Sequence, residues 1–297
     1  LSATDRETIG KMGAELGATT TVFPSDERTR QYLEAQGRGD AWVELAADEG
    51  AEYDIHDEIN LSEVEPLIAC PSSPGNVVPV GKVAGTRVDQ AIVGSSVNSS
   101  FRDLMVAARI VEGRHSHPDT SFHINPGSRQ VVENIADQGG FMALLLAGAR
   151  IHQSGCLGCI GMGQAPASGT NSLRTFPRNF KGRSGTKEDA VYLCSPETAA
   201  ASAINGYITD PRTFGEYPQV EYPKRFAFNE KWFVPPAEDP DSVKVERGPN
   251  IKTFPDFEEL SDELTADVIL KVGDNISTDI IMPAGNRVLP YRSNIPA

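Results

Sequence analysis

The sequence predicts an α/β fold built on mostly parallel sheets, and three observations carry that expectation. From Val88 onward, apolar runs of strand length alternate with helical patterns. The helical patterns open on capping residues or proline turns, which fixes their starts. The two loops richest in chemistry, 93–100 and 155–164, each follow a predicted strand. Parallel sheets gather their ligands at such loops, beyond the carboxyl ends of the strands.

Taken in order, Thr4-Asp5-Arg6-Glu7 starts a helix that runs to about Leu16, and Gly17–Pro24 reads as a short strand closed by a proline turn. Ser25-Asp26-Glu27 caps a helix over 28–36 that Gly37 ends. Ile59-Asn60-Leu61 reads as another short strand. The Pro71–Asn76 stretch breaks the chain and marks a domain boundary between about 71 and 86. A buried strand at 88–94 leads to a helix over 102–112, then a strand at 121–125 and a helix over 129–138. A further helix spans 141–148 and a strand 150–153. Ser195-Pro196-Glu197-Thr198 places a serine cap and a first-turn proline on a helix reaching Ile204. The expected organisation is a partial α/β domain at 1–75, a second α/β domain at 76–216 carrying both loops, an extended Pro- and acid-rich linker at 217–265, and the start of a further domain at 266–297.

Composition narrows the class. With 41 acidic against 27 basic residues and a formal charge of −14, the chain would be repelled by nucleic acid or an anionic membrane. No apolar run approaches the ~20 residues of a membrane span, and the N-terminus lacks the basic start and apolar stretch of a signal peptide. Four cysteines in 297 residues make no disulfide framework, so a reducing compartment is expected, cytoplasmic or, in a eukaryote, the mitochondrial matrix. The chain opens on Leu1, inside a helical pattern and without methionine, which leads us to expect a piece of a longer or processed chain.

Cys156-Leu157-Gly158-Cys159 is the sharpest local motif. Two thiolates at this spacing grip one metal or neighbouring irons of a cluster; the same spacing also serves a redox dithiol or two inert buried thiols. His115, His117 and His123 lie beside a proline turn without a second ligand pair and read as structural. Cys70 and Cys194 read as small buried residues. Gly161-Met162-Gly163 is not a phosphate loop, since no Lys-Ser/Thr follows.

Context sharpens the cysteine motif. Gly155–Gln164 resembles the Cys-Gly-Pro-Cys loop of the aconitase superfamily. Val93–Ser100 resembles its Gly-Ser-Cys-Thr-Asn-Ser loop, and Arg178-Asn179-Phe180-Lys181-Gly182-Arg183 its Asn-Arg-Asn-Phe-x-Gly-Arg segment. Met12–Thr20 matches another block. Ser277-Thr278-Asp279 with Pro283-Ala284-Gly285 resembles the start of the family's swivelling domain. The resemblance implies three-layer αβα domains and reversible dehydration of a tricarboxylic acid through an enoate. It also implies a [4Fe–4S] cluster on three cysteines, with the fourth iron free to act as Lewis acid. Cys156 and Cys159 fall on two of the ligand positions. Arg178 and Arg183 align with carboxylate-binding arginines and Ser95 with a substrate-binding position, while Glu15 and Asp279 align with active-site carboxylates. A small di- or tricarboxylate is the implied ligand.

The departures are concentrated. Ser96 stands where the first cluster cysteine is expected, and a hydroxyl is a hard, poor ligand for cluster iron. Pro177, Lys11 and Ile280 replace Asn, Asn and His, and Leu157-Gly158 replaces Gly-Pro. The family's Asp–His pairs and its Gly-Ser-Ser-Arg serine do not occur in the chain. The cluster is therefore expected to be absent or incomplete, and the chain to be a fragment or degenerate homologue unable to catalyse hydration alone. Two other readings stand beside it: part of an aconitate or homoaconitate hydratase completed by another chain, or a non-catalytic subunit of a larger assembly. Each implies self-association or a partner that covers exposed apolar surface.

Overall fold

A computed structural model of the chain describes residues 1–274 together with 276, 280 and 291. The chain divides into two units, Leu1–Phe228 and Asn229–Ala297. The first contains one seven-stranded sheet: β1 (Leu67–Ala69), β2 (Val77–Pro79), β3 (Gln90–Gly94), β4 (Ser121–Asn125), β5 (Arg150–Ile151), β6 (Asn171–Arg174) and β7 (Ala190–Leu193). Their spatial order is β2-β1-β7-β6-β3-β4-β5. The five strands from β7 to β5 run parallel, and β1 pairs antiparallel with both β2 and β7. The helices are α1 (Ala3–Gly13), α2 (Glu27–Ala35), α3 (Phe101–Val111), α4 (Arg129–Asp137), α5 (Gly140–Leu146) and α6 (Pro196–Asn205). The expected α/β architecture with a mostly parallel sheet is thus the observed one.

Side-chain alternation divides the sheet into two unlike faces. Ala91 and Val93 of β3, Phe122 and Ile124 of β4 and Leu173 of β6 join the main core with Leu104, Met105 and Ala108 of α3. Burying each of the larger side chains contributes about 1.5–3 kcal/mol. Ala199, Ala200, Ala201 and Ala203 make α6 small-sided, so it packs into the same core at close range. The opposite face holds Ile92, Val191 and Leu193 with Phe176 and Cys159, plus a polar row of Gln90, Ser172, Arg174, His123 and Asn125. Loops, including the cysteine loop, cover this polar face.

Capping sets the helix starts at the carboxyl ends of the strands. Ser100 and Asp103 form a reciprocal capping box on α3. Ser128 caps α4 and Ser195 caps α6, with Pro196 at its first position.

Two expected strands do not form. The 17–24 stretch makes no ladder, and its nearest pairing is an isolated bridge between Ser25 and Leu45. Residues 59–61 are exposed and enter a turn. Both segments have strand-like residues but no neighbouring strand, and strand preference is realised only against a partner. Conversely, β1, β2, β6 and β7 were not anticipated. The Pro71–Asn76 stretch, the expected domain boundary, lies between β1 and β2, which pair with each other, so both sides of it belong to one sheet.

In the second unit the described residues carry two short 3₁₀ turns and no strand, and Val268, Ile269 and Leu270 of the expected new domain are exposed. Among the described residues, no helix is long and apolar enough to cross a membrane.

Candidate active site

The loop after β3 is built on strained backbone. Gly94 has φ +122°, and a Cβ there would sit 1.9 Å from the Asn125 carbonyl oxygen. Ser95 follows at φ +69°, the one non-glycine residue with positive φ among those described. Such a conformation costs about 1–3 kcal/mol and persists only when its surroundings over-determine it. Here the Gly94 N–H donates to Thr175 Oγ1 (2.9 Å) and the Ser95 N–H to the Asn125 carbonyl (3.0 Å). Asn98 Nδ2 adds a bond to the Thr175 carbonyl (3.0 Å). The outcome is that Ser95 Oγ lies 3.4 Å from Cys156 Sγ, with Ser96 also directed at that sulfur.

The cysteine loop enters from β5. Cys156 is exposed; the next turn, a 3₁₀ helix at Gly158–Ile160, buries Cys159 in the smaller core. Gly158 is required sterically, because a Cβ would meet Gln164 Oε1 at 1.8 Å. Gln164 Nε2 is bound to Asn125 Oδ1 (2.6 Å), so it cannot swing aside. Arg183 Nη2 donates to Cys159 Sγ at 3.6 Å. The Cys156 thiol is pulled down to about 5, first by the hydrogen bond from Cys159 and then, against some burial, by Ser95, Ser96 and the Arg183 charge. Cys159 is pushed the other way by donating that hydrogen bond and by burial.

A cavity of about 390 Å³ opens over Cys156. Its walls include Ser95, Ser96, Ser100, Ser128, Glu7 and Lys11, and Lys11 is paired with Glu7 one turn away on α1. The N-terminal turns of α3 and α4 border the same space. Arg178 and Arg183 are not among its walls. Arg178 Nε instead donates to Glu15 Oε1 at 2.7 Å. Asn179 next to it ties the segment to the sheet through the Cys70 and Val191 carbonyls.

The structure therefore brings Ser95, Ser96, Cys156, Cys159 and Arg183 together and joins Glu15 to Arg178. Asp279 lies outside the described residues. Among those residues no three His, Cys, Asp or Glu side chains are grouped to hold a metal ion. The three histidines of the sequence reading separate: His115 meets the Leu146 carbonyl, His117 the Asp119 amide, and His123 the previously unnoticed His152. The His123–His152 rings stack at 5.1 Å with a 2.8 Å nitrogen contact, and burial holds His123 down to about 4. Sequence reasoning also passed over Arg174, whose guanidinium is wholly buried under the cysteine loop.

The sequence model of the Aconitase family (aconitate hydratase) matches residues 1–206. The 3-isopropylmalate dehydratase large subunit 1 of Methanopyrus kandleri is 41% identical over 216 residues, which is 72% of this chain and 51% of that protein. The subunit of the same name from Thermotoga maritima is 38% identical over 217 residues, 72% of this chain and 52% of its own. The large subunit 2 from Archaeoglobus fulgidus is 39% identical over 215 residues, with the same shares. The chain spans about half the length of the curated relatives it matches.

Proposed function

Because the chain belongs to the aconitase family, we propose that it is a hydro-lyase chain that binds a small di- or tricarboxylate and does not, alone, carry out dehydration and rehydration. The observation behind this reading is the constellation at Cys156: two hydroxyls and one further thiol converge on it, where the family resemblance calls for three thiolates. A [4Fe–4S] cluster, when bound, supplies the Lewis acid that draws the hydroxyl off the substrate. Ser96 offers a protonated, hard oxygen in place of the third sulfur, and the set does not fit a three-cysteine cluster. No step is assigned to that group.

The chain's own residues account for binding. Arg183 and Arg178 present guanidinium forks suited to carboxylates. Glu15 holds Arg178 by its Nε and fixes where the guanidinium stands. Ser95, itself buried, supplies a hydroxyl to the wall of the cavity. Asp279 is proposed as a second acid group of the site on the strength of the resemblance.

A second reading is favoured by the relatives. They are named as large subunits of a 3-isopropylmalate dehydratase, and this chain covers half of each. On that reading a branched hydroxy diacid is the substrate, and another chain contributes the missing acid–base groups. One experiment separates the two. The purified chain, with and without a candidate small subunit, is assayed for formation of the enoate by its ultraviolet absorbance, and for thermal stabilisation by 3-isopropylmalate or citrate. We expect stabilisation that R183M abolishes and no turnover by the chain alone. Steady turnover by the chain alone overturns the first reading. Turnover only with the second subunit establishes the other.

A further inference from the structure

The cavity over Cys156 has two unlike stretches of wall. Beside the cysteine loop it is hydroxylic, with Ser95 Oγ 3.4 Å from Cys156 Sγ and Ser96 turned to the same sulfur. Elsewhere it is aromatic. Phe101, Tyr222 and Phe226 all line it, and their ring centroids stand 5.6 to 6.3 Å apart in tilted and edge-to-face pairs. α1 relates the two stretches. Thr4, Glu7 and Lys11 line the cavity from one face of that helix, about 10 Å from first to last at a helical rise. The Thr4 and Tyr222 hydroxyls share a hydrogen bond (2.9 Å), which marks the aromatic end. Thr8, one turn further along, meets the Val97 carbonyl and Asn98 Oδ1 of the serine loop, at 3.5 Å each.

The segment carrying Tyr222 and Phe226 is pinned by its backbone. The Phe226 N–H donates to the Ala35 carbonyl (2.8 Å). Asn134 bonds both backbone groups of Ala227, donating to its carbonyl (3.2 Å) and accepting from its N–H (2.9 Å). Rings on a fixed backbone form a ready-made apolar surface, which takes an apolar group without the cost of ordering a loose loop. Charge in the same walls is scarce. Lys11 is the one cation among the described lining residues, and Glu7 pairs with it. A carboxylate set against the three rings would give up its hydration with no cation to replace it. An apolar group set there gains by leaving water.

We propose that Phe101, Tyr222 and Phe226 form a specificity subsite for an apolar substituent of the ligand. The ligand class is then a hydroxy diacid bearing a branched aliphatic or aryl group. Its carboxylates lie at the hydroxyl-lined stretch and its substituent on the rings, so a third carboxylate in that place is selected against. The inference rests on the carboxylate-binding reading above and adds which part of the ligand is discriminated and by which residues. Tyr222 is the member of the three that a ligand reaches most readily, being 36% exposed where Phe101 and Phe226 are buried.

Binding of malate, 3-isopropylmalate and citrate to the full chain, followed by isothermal titration calorimetry, tests this. 3-Isopropylmalate should bind about tenfold or more tighter than malate, the order expected for burying three carbons, and citrate no tighter than malate. Y222A removes a ring and should lower the 3-isopropylmalate preference by about threefold or more. Y222F keeps the ring, loses the bond to Thr4 and should retain the preference. Val131 lines the cavity one turn before Asn134 on α4, and V131F, which fills that space, should lower the preference as Y222A does. Equal affinities for malate and 3-isopropylmalate, citrate as the tightest of the three, or a wild-type preference in a folded Y222A or V131F would each overturn the subsite and leave the carboxylate reading standing. Loss of the preference in Y222F would assign it to the hydroxyl bond and overturn the apolar role. If none of the three acids binds, the carboxylate reading fails and takes the subsite with it, so the two failures are told apart.

Discussion

Arg178 Nε donates to Glu15 Oε1 at 2.7 Å, joining segments 163 residues apart in the chain. The Glu15 side chain is only 8% exposed, which makes this bond worth more than a surface pair. It ties the end of the N-terminal helical segment to the arginine loop after β6. Replacing Glu15 with glutamine keeps an acceptor and removes the charge. E15Q should lower unfolding stability by about 1–3 kcal/mol, the range for a weakened charged hydrogen bond in a part-buried place. Urea denaturation followed by circular dichroism reads the change, and a wild-type midpoint contradicts it.

The two loop cysteines should behave as opposites. Cys156, held down to about 5, is a thiolate at neutral pH. Its alkylation rate should be flat above pH 7 and fall as the pH drops through about 5. Removing one hydroxyl that supports the thiolate, in S95A, should move that midpoint upward. Cys159 is buried and protonated longer, so it should react only after unfolding. A Cys156 midpoint near about 8.5, the ordinary thiol value, contradicts the geometry of the loop.

Gly158 has no room for a methyl group, since Gln164 is 2% exposed and anchored to Asn125. G158A should cost about 1–3 kcal/mol, the usual penalty for forcing an atom into a packed interior. Differential scanning calorimetry checks it. An unchanged melting temperature would mean that the loop and Gln164 relax together.

Burial raises the Asp103 carboxyl to about 6, against the hydrogen bonds from Ser100 that favour its charge. The native state therefore holds this proton more tightly than the unfolded chain. Its stabilisation is fully present below the unfolded value and is lost as pH rises through about 6. D103N, which keeps an acceptor for the Ser100 amide, should gain on the wild type by about 1–3 kcal/mol between pH 4 and pH 7. A stability difference that does not change with pH contradicts the shift.

Much of this was legible in the sequence, and the gaps have physical causes. β4 falls on the predicted residues, and α3, α4 and α6 fall within a residue or so, because serine caps mark where helices begin. Strands β1 and β2 were hidden because Pro66, Pro71 and Pro74 read as breaks, where the structure uses them to bound a hairpin. Strand β6 was hidden by its own composition: Asn171-Ser172-Leu173-Arg174 has one apolar residue, since its other face belongs to the buried polar row. The meeting of Ser95 and Ser96 with Cys156 was implied by family motifs. The burial of Arg174 and the His123–His152 stack depend on contacts across strands, which no spacing along the chain encodes.

On the proposed reading, one hydroxyl, Ser96, leaves the cysteine site a thiolate short. Anaerobic reconstitution of the wild-type chain and of S96C with iron and sulfide, followed by iron counting, tests it most directly. Little tightly held iron is expected in the wild type and about four irons per chain in S96C, a full cubane complement. About four tightly held irons in the wild type would contradict it, and would show that oxygen ligation or another group completes the site.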